Sequence, residues 1–412
     1  MDNIAGSPVE GENFYDREAD VRRLREILEN DDILLLGARR IGKTSIARAV
    51  MAAVRVEGWH AIEINVASCQ DEHGFLSKLE AALTPELATL TGRATAFIGD
   101  GFDALTKRIQ SVKVSVPGVA DLDVAVGGGA TGDWTHVGND VLRLISRVDQ
   151  NQRWLIYVDE LPIMLFNIIR VDPQHGVQRV RRFLDWFRND VRALPDVRTL
   201  RWLVSGSVGL DTLVQQHGMA DTINSMKHEG LEPFSELVAI SMLGKLATRY
   251  AMTFSDDDAR SMIAAVVWTQ PYYLQLAFNH LRSLMQGEPD TKAGELIEHA
   301  IDKLVQPGGD NDFHYWQDRL RIQLSLSDAN HCLALLMMAA KTKAGASADS
   351  LLVELQGRMP NATAEEALRA FVTLRDILQR DAYWWPDEST GAKRYRFRLE
   401  PLRRWWLRRN SL

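Results

Sequence analysis

Cysteine is scarce in this sequence. The 412 residues contain two cysteines, Cys69 and Cys332, which stand far apart and form no CxxC pair. This spacing argues against a zinc site, excludes a disulfide framework and is typical of a reducing compartment. We therefore predict a cytoplasmic protein.

Long apolar runs are also missing. The longest one, residues 333–340, is far too short to cross a bilayer. The opening residues, MDNIAGSPVEGENF, carry acids and no apolar stretch, unlike a secretory signal peptide. We expect no membrane span and no membrane partner.

Basic charge is not in excess, because 55 acidic residues outnumber 48 lysines and arginines and give a formal net charge of -7. Any contact with nucleic acid therefore requires a local basic face. Hydrophobic residues make up 46% and charged residues 25%, as in ordinary globular proteins. The length fits two or three domains.

The sequence does contain a strand, loop, helix and strand near its start. Residues 33–36 are wholly apolar and end at a glycine, residues 44–58 have helical character, and residues 59–66 are typical of a second strand. This order predicts one βαβ unit of a parallel sheet. Further strands are predicted at residues 154–158 and 200–204, and a short fifth strand near residues 231–234.

A phosphate-binding motif follows the first strand. Residues 37–44, Gly-Ala-Arg-Arg-Ile-Gly-Lys-Thr, match GxxxxGK[ST] at every fixed position. Glycines let consecutive N–H groups point at phosphate oxygens, and the next helix adds the positive end of its dipole. Lys43 would supply a charge for the β- and γ-phosphates, and the Thr44 hydroxyl is placed to bind Mg²⁺. The predicted nucleotide-binding residues here are Gly37, Ala38, Arg39, Arg40, Ile41, Gly42, Lys43, Thr44 and Ser45.

Two acids, Asp159 and Glu160, follow the apolar strand at residues 154–158. The aspartate can hold Mg²⁺ through water, and the glutamate can polarise the water that attacks the γ-phosphate. Such a pair alone is a weak signal, because acid pairs are common and also follow ordinary strands in solvated turns. Downstream of a phosphate-binding loop it predicts hydrolysis of a nucleoside triphosphate.

The next strand ends in Ser205-Gly206-Ser207. A hydroxyl at this position can lie near the γ-phosphate and sense it. We take Ser207 as the candidate, and Ser205 stays open as the alternative.

Two further segments are weaker candidates for contact with a nucleotide. Phe14 and Arg17 precede the first helix and could flank an adenine ring, although a helix cap at Asp16 explains the same residues equally well. Pro271 fits the first turn of a helix that could close over a nucleotide, and a plain helix corner explains it better.

Taken in order, these elements resemble the STAND-type branch of the AAA+ P-loop ATPases, especially the archaeal-type ATPases related to origin-recognition proteins. Residues 14–18 are similar to the family's Phe-x-x-Arg-Glu start, and Arg39 and Arg40 to its arginine-rich loop. Residues 159–162 are similar to its Asp-Glu-Leu-Pro strand end. Pro271 fits the family's lid motif, but Thr269 stands where the family has glycine.

The resemblance implies an α/β fold with a parallel sheet in the order 5-1-4-3-2, a helical lid and often a C-terminal winged helix. It implies ATP and Mg²⁺ as cofactors. It also makes Arg188 the candidate for a charge-stabilising finger, in cis or from a neighbouring subunit. Arg179, Arg181 and Arg182 compete for that role.

We predict three domains on this basis. Residues 1–234 form the P-loop ATPase core, with a β-hairpin insertion at about 111–135, where apolar and polar residues alternate on both sides of Pro117-Gly118. Residues 235–306 form the helical lid. After a linker at 307–312, residues 313–412 form a winged-helix-like domain with three helical stretches and a pair of strands.

DNA and a protein both stay open as partners of this tail, and so does assembly into an oligomer. Trp405 and Trp406 suggest packing against the ATPase body or a protein, and the candidate recognition helix at 363–380 is barely basic. Basic residues that could contact phosphates cluster late in the chain. They are Lys393, Arg394, Arg396, Arg398, Arg403, Arg404, Arg408 and Arg409.

Two functions fit these patterns. The first is a Mg²⁺-dependent ATP-binding and hydrolysing molecular switch whose nucleotide state repositions the C-terminal winged helix. The second is a nucleotide-gated module that docks DNA or protein with negligible turnover. Glu160 argues against the second, because a pure binder does not need it.

Overall fold

The structure is a computed structural model of the 412-residue chain. It describes residues 1–88, 107, 109, 133–148, 153–191, 199–207, 209–308, 311–389, 391 and 393–410. The chain divides into two compact units. The sheet unit contains Arg17–Gly37 and Lys43–Gly230, and the helical unit contains Met1–Asp16, Ala38–Gly42 and Leu231–Leu412.

The sheet unit is built on five parallel strands. They are β1 (Ile33–Gly37), β2 (His60–Asn65), β3 (Trp154–Asp159), β4 (Leu200–Ser207) and β5 (Lys227–Gly230). Their order is β5-β1-β4-β3-β2, which confirms the predicted order. Because the strands are parallel, β1, β3 and β4 all end at one edge of the sheet, where the motif residues stand.

The predicted fifth strand was wrong in position. It lies at Lys227–Gly230 rather than at residues 231–234. The strand lies at the sheet edge beside β1. Its sequence, Lys-His-Glu-Gly, contains no apolar run that would have indicated a strand. The apolar residues that follow belong to the helical unit, where Phe234 packs in the core.

Seven α-helices of the sheet unit are described around these strands, together with a π-helical segment, Trp186–Asp190. Buried aromatic rings pack between them, with Phe75 edge-on to Phe183 and Trp134 stacked on Phe183. The predicted hairpin at 111–135 lies outside the described residues except for its last three. The helices are α1 (Glu18–Leu28), α2 (Lys43–Val56), α3 (Glu72–Ala88), α4 (Trp134–Val148), α5 (Leu161–Val171), α6 (Gly176–Asp185) and α7 (Leu210–Gln216).

The helical unit has nine described α-helices and a small antiparallel sheet in the order β6-β8-β7. Side-chain caps begin several helices, including full capping boxes at Ser255 with Asp258 and at Thr363 with Glu366. The helices are α8 (Glu236–Arg249), α9 (Asp256–Val266), α10 (Pro271–Gly287), α11 (Ala293–Leu304), α12 (Asn311–Gln323), α13 (Leu326–Ala340), α14 (Ala348–Arg358), α15 (Ala364–Arg380) and α16 (Glu400–Asn410). The strands are β6 (Ala346–Ser347), β7 (Trp384–Asp387) and β8 (Arg394–Phe397).

Helix α12 is an element that the sequence interpretation missed. The expected linker at 307–312 runs directly into it, since the helix begins at Asn311. Phe313, Trp316 and Leu320 lie on one buried face, as the spacing of a helix requires. On the same helix, Arg319 forms a fully buried ion pair of 3.2 Å with Asp381.

The tail tryptophans lie inside the helical unit. Trp405 and Trp406 are 1% and 0% exposed, so they pack in this core and present no docking surface. Among the described helices, none is long and apolar enough to cross a membrane. The three-domain division predicted above remains a prediction.

Candidate functional site

The candidate site begins where β1 ends. Gly37 has a φ of 155°, and the chain passes through residues 38–42 before α2 begins at Lys43. The Lys43 ammonium donates a hydrogen bond of 2.9 Å to the carbonyl oxygen of Gly37, and Lys43 is 7% exposed. The Lys43 ammonium, predicted to bind phosphate, is therefore held by a backbone carbonyl at the start of the loop.

Thr44 and Asp159 meet at the same sheet edge. The Thr44 hydroxyl donates to Oδ2 of Asp159 over 3.1 Å, across 115 positions of sequence. A hydroxyl and a carboxylate are hard oxygen donors of the kind that Mg²⁺ prefers. The donor set therefore fits the predicted Mg²⁺ site.

A second hydroxyl orients the same carboxylate. Ser205 donates to Oδ1 of Asp159, and Tyr157 lies 3.1 Å from the Ser205 oxygen. A carboxylate can only accept, so the single proton of Ser205 points at Asp159 and the tyrosine must donate to Ser205. The bonds thus run in one direction, from Tyr157 through Ser205 to Asp159.

The protonation of Tyr157 supports that direction. Burial raises its pKa well above the ordinary value, and the negative charge of Asp159 raises it further. The phenol therefore keeps its proton at neutral pH and stays a donor.

The structure describes the side chain of Ser205 but only the backbone of Ser207. Ser205 is fully buried and engaged with Asp159. The backbone of Ser207 pairs with Gly37 in β1, and the side chain of Ser207 lies outside the described part of the chain. The sensing role of Ser207 remains a prediction.

Glu160 stands between β3 and α5 in a left-handed conformation, with φ 60° and ψ 37°. The turn that holds it packs against the end of β4. A Cβ atom on Gly206 would lie 2.5 Å from Cγ of Pro162, closer than real atoms approach. Gly206 is therefore required because Pro162, in the turn after Glu160, occupies the space of a side chain.

The middle of the phosphate-binding loop is part of the helical unit. The Arg40 guanidinium pairs with Asp312 at 2.6 Å and lies 4.0 Å from the ring centre of Tyr272. The Arg39 guanidinium lies 3.5 Å from the ring centre of Tyr315. The carbonyl oxygen of Arg39 accepts a 2.6 Å bond from the Gln270 amide.

Arg188, the candidate finger, lies on the π-helical segment and pairs with Asp221 at 2.7 Å. Its competitors are also engaged. Arg181 shares Asp221 at 3.1 Å, and Arg182 pairs with Asp133. Arg179 forms a buried pair with Glu72 at 2.5 Å, which makes it a structural arginine of the sheet unit.

The segment around Phe14 and Arg17, a candidate for contact with adenine, differs from the sequence interpretation. Asp16 is not the helix cap, because α1 begins at Glu18 with Arg17 in the cap position and no side-chain cap bond. Arg17 is instead buried and paired with Asp20 at 3.0 Å. Phe14 is half-buried in the helical unit, and Pro271 is the first residue of α10.

Sequence reasoning missed Tyr157, Gln270 and Asp312. A signal for Tyr157 was present, since residues two apart on a strand face the same side and Asp159 follows at that spacing. Gln270 is 0% exposed, but burial of a polar residue is not visible in a sequence. Nothing local pairs Asp312 with an arginine near the other end of the chain.

Solved structures share this architecture. A Walker-type ATPase of Pyrococcus abyssi superposes with a TM-score of 0.63 over 98% of this chain and 99% of that chain, at 14% sequence identity. The chain has the fold of a P-loop ATPase. The ORC2 protein of Aeropyrum pernix, solved as ADPNP–ADP complexes, has a TM-score of 0.56 over 98% of both chains at 13% identity.

This P-loop ATPase fold carries the motif residues at the expected sheet edge. At these identities the likeness concerns the fold alone. No protein-family model matches the sequence, and a search of curated proteins finds no similar one.

Proposed function

We propose that this chain binds ATP with Mg²⁺ and hydrolyses it, and that the reaction serves a molecular switch. One observation carries the proposal. The Thr44 hydroxyl donates to the Asp159 carboxylate at 3.1 Å, and Lys43 and Glu160 are their neighbours in sequence. A triphosphate, its metal and a water-activating base can all be served by these groups.

Each of these residues has a separate task in the proposed reaction. Thr44 and Asp159 would hold Mg²⁺, which when bound neutralises charge on the phosphates. Lys43 would exchange its bond to Gly37 for one to a phosphate oxygen and offset charge on the leaving ADP. Glu160 would take the proton of the water that attacks the γ-phosphorus as the bond to ADP breaks.

The left-handed backbone of Glu160 fits this task. A non-glycine residue with a positive φ costs about 1 kcal/mol or more, and such strain persists where the surroundings fix it. Here the surroundings are the end of β3, Pro162 and the close approach of Gly206. The packing of this turn thus holds the backbone of Glu160 in a conformation that the residue does not prefer by itself.

We also infer that the C-terminal segment is a winged-helix-like domain. Helices α13, α14 and α15 are followed by β7 and β8, and β8 pairs with both β6 and β7 in an antiparallel sheet. The strand pair with its connecting turn corresponds to a wing. In the proposed switch, the nucleotide state repositions this domain.

The contacts of the basic tail favour a protein partner over duplex DNA. Arg403 is buried against Glu400 at 2.7 Å, and Arg404 binds Glu298 at 2.8 Å. Arg396 pairs with Asp387 at 3.0 Å. Guanidinium groups that neutralise acids of their own chain contribute little to phosphate binding. Others bond to backbone or amide oxygens, namely Arg394, Arg408 and Arg409.

The exposed side of α15 agrees with a protein partner. Leu368 and Val372 are 47% and 37% exposed, one helical turn apart. The neighbouring Arg369 is paired with Glu365. A recognition helix for DNA would present unpaired basic residues there instead.

Phosphate release from ATP tests the proposal. We expect the wild-type protein to hydrolyse ATP in Mg²⁺, and both Lys43→Ala and Glu160→Gln to lose most of that rate. Equal rates in all three proteins would contradict it. Adding duplex DNA at low salt distinguishes the partners, because stimulation that disappears with added salt would favour DNA and its absence would favour a protein.

A further inference from the structure

The tip of the phosphate-binding loop has a strained backbone. The N–H of Ile41 donates to the carbonyl oxygen of Ala38 over 3.3 Å, which closes a tight turn. Arg40 is the third residue of that turn and has a φ of 65°. A positive φ at this position normally requires glycine or asparagine, so an arginine needs something else to keep it there.

An ion pair and an aromatic contact of the Arg40 side chain stabilise this backbone conformation. The Arg40 guanidinium is bound by the Asp312 carboxylate at 2.6 Å and faces the Tyr272 ring at 4.0 Å. Partial burial lowers the pKa of Arg40, and the charge of Asp312 opposes this shift. The carboxylate therefore keeps a partly desolvated cation in place.

The neighbouring residue, Arg39, is also held by two contacts. The Gln270 amide donates to the carbonyl oxygen of Arg39 at 2.6 Å, and Gln270 itself is fully buried. The Tyr315 ring lies under the Arg39 guanidinium at 3.5 Å. Cation–π contacts at this distance are favourable, and more so when they are shielded from water.

The groups that hold the tip come from two places. Gln270 and Tyr272 stand at the start of α10, and Asp312 and Tyr315 stand in the first turns of α12. The contact therefore joins the loop to the helix that leads into the C-terminal segment.

We propose that Asp312 is a positioning residue for the phosphate-binding loop, which it holds, through Arg40, in the left-handed turn that binds phosphate. This inference rests on the proposed ATP binding. Asp312 would touch the loop and not the nucleotide. A change in the C-terminal segment that moved α12 would then alter ATP affinity through the Asp312–Arg40 ion pair and the neighbouring contact of Tyr315 with Arg39.

Equilibrium binding of a fluorescent ATP analogue tests the proposal. We expect Asp312→Asn to weaken binding roughly 10-fold, as for loss of a hydrogen bond between charged groups. Asp318→Asn is the matched control, because Asp318 is exposed on the same helix, and it should bind as the wild type does.

Two substitutions of Arg40 separate conformation from contact. Glycine adopts a positive φ freely and alanine does not. We therefore expect Arg40→Gly to bind the analogue more tightly than Arg40→Ala. In the Arg40→Gly background, Asp312→Asn should have no further effect, which a merely structural role of Asp312 would not produce.

The outcomes distinguish this inference from the proposed function. If the wild-type protein does not bind the analogue and Lys43→Ala makes no difference, the proposed function fails. If the wild type binds but Asp312→Asn binds equally well or more tightly, the positioning role is wrong. Equal binding by Arg40→Gly and Arg40→Ala would also overturn it.

Discussion

Ser205 and Asp159 are joined by a hydrogen bond that can run in only one direction. The carboxylate accepts, so the serine donates and in turn accepts from Tyr157 at 3.1 Å. This fixes Oδ1 of Asp159 and leaves Oδ2 bonded to Thr44. Both carboxylate oxygens of Asp159 are therefore oriented by hydroxyl groups of this chain.

The first prediction follows from this orientation. Tyr157→Phe keeps the buried ring but removes the proton that Ser205 accepts. We expect the Mg²⁺ concentration for half-maximal ATP binding to rise roughly 10-fold, the lower end of the usual scale for loss of an outer-shell partner of a metal ligand. ATP binding in EDTA should not change.

Tyr383→Phe is the control for that measurement. Tyr383 is also fully buried and donates to the carbonyl oxygen of Trp316 over 2.6 Å, but it lies in the helical unit. If both variants shifted the Mg²⁺ dependence by the same amount, the orienting role of Tyr157 would be refuted.

A second prediction concerns the close approach of Gly206 to Pro162. The added methyl group of Gly206→Ala would lie 2.5 Å from Pro162 Cγ. We expect a loss of about 1–3 kcal/mol in the free energy of unfolding, as in overpacked sites. Urea denaturation measures it.

Gly244→Ala is the matched substitution. A Cβ atom on Gly244 would meet nothing within 4 Å, and the residue lies inside α8. The free energy of unfolding should therefore rise by about 0.5–1 kcal/mol. Equal effects of the two alanines would show that the contact with Pro162 does not matter.

The buried ion pair between Arg319 and Asp381 gives a third prediction. Both side chains are at most 2% exposed. Replacing one partner leaves the other as an uncompensated buried charge, so Asp381→Asn should destabilise the helical unit by about 3–5 kcal/mol. Glu365→Gln, which breaks an exposed pair with Arg369, should cost less than about 1 kcal/mol. Thermal unfolding of both variants would show whether burial makes this difference.

Tyr273 gives a pH prediction. Burial raises its pKa from the ordinary value of 10.0 to about 12 in the folded protein. Between these values the unfolded chain has lost the proton and the folded chain still binds it, so stability falls as the pH rises. The stabilisation is fully present below pH 10 and declines up to about 12.

Urea denaturation at pH 8 and near pH 11 measures this loss. We expect Tyr273→Phe to lose less stability than the wild type, by on the order of 1 kcal/mol. A larger alkaline loss in Tyr273→Phe would contradict the assigned shift. Tyr157 and Tyr383 also have raised pKa values, so part of the alkaline loss should remain in the variant.

Much of the sheet was predictable because its signal is local. Apolar runs that end in motif residues gave β1, β3 and β4, and their parallel order followed from the resemblance. Strand β5 was placed wrongly because its four residues, Lys-His-Glu-Gly, contain no apolar run and its position depends on pairing with β1. Edge strands often lack the apolar pattern that sequence reasoning needs.

The candidate site was predictable only in its motifs. Lys43 and Thr44 are identified by the spacing of the loop motif, and Asp159 by its place after an apolar strand downstream of that loop. The contacts of Arg39 and Arg40 depend on tertiary packing, and the bond from Gln270 to Arg39 spans 231 positions. No local pattern encodes such a partner.

The most direct test of the central claim is a single-turnover measurement of ATP hydrolysis, with protein in excess over radiolabelled ATP and Mg²⁺ present. This condition excludes slow product release from the observed rate. We predict that Glu160→Gln still binds the label but cleaves it about 100-fold or more slowly than the wild type, the scale for loss of a general base. Cleavage at the wild-type rate by Glu160→Gln would contradict the account.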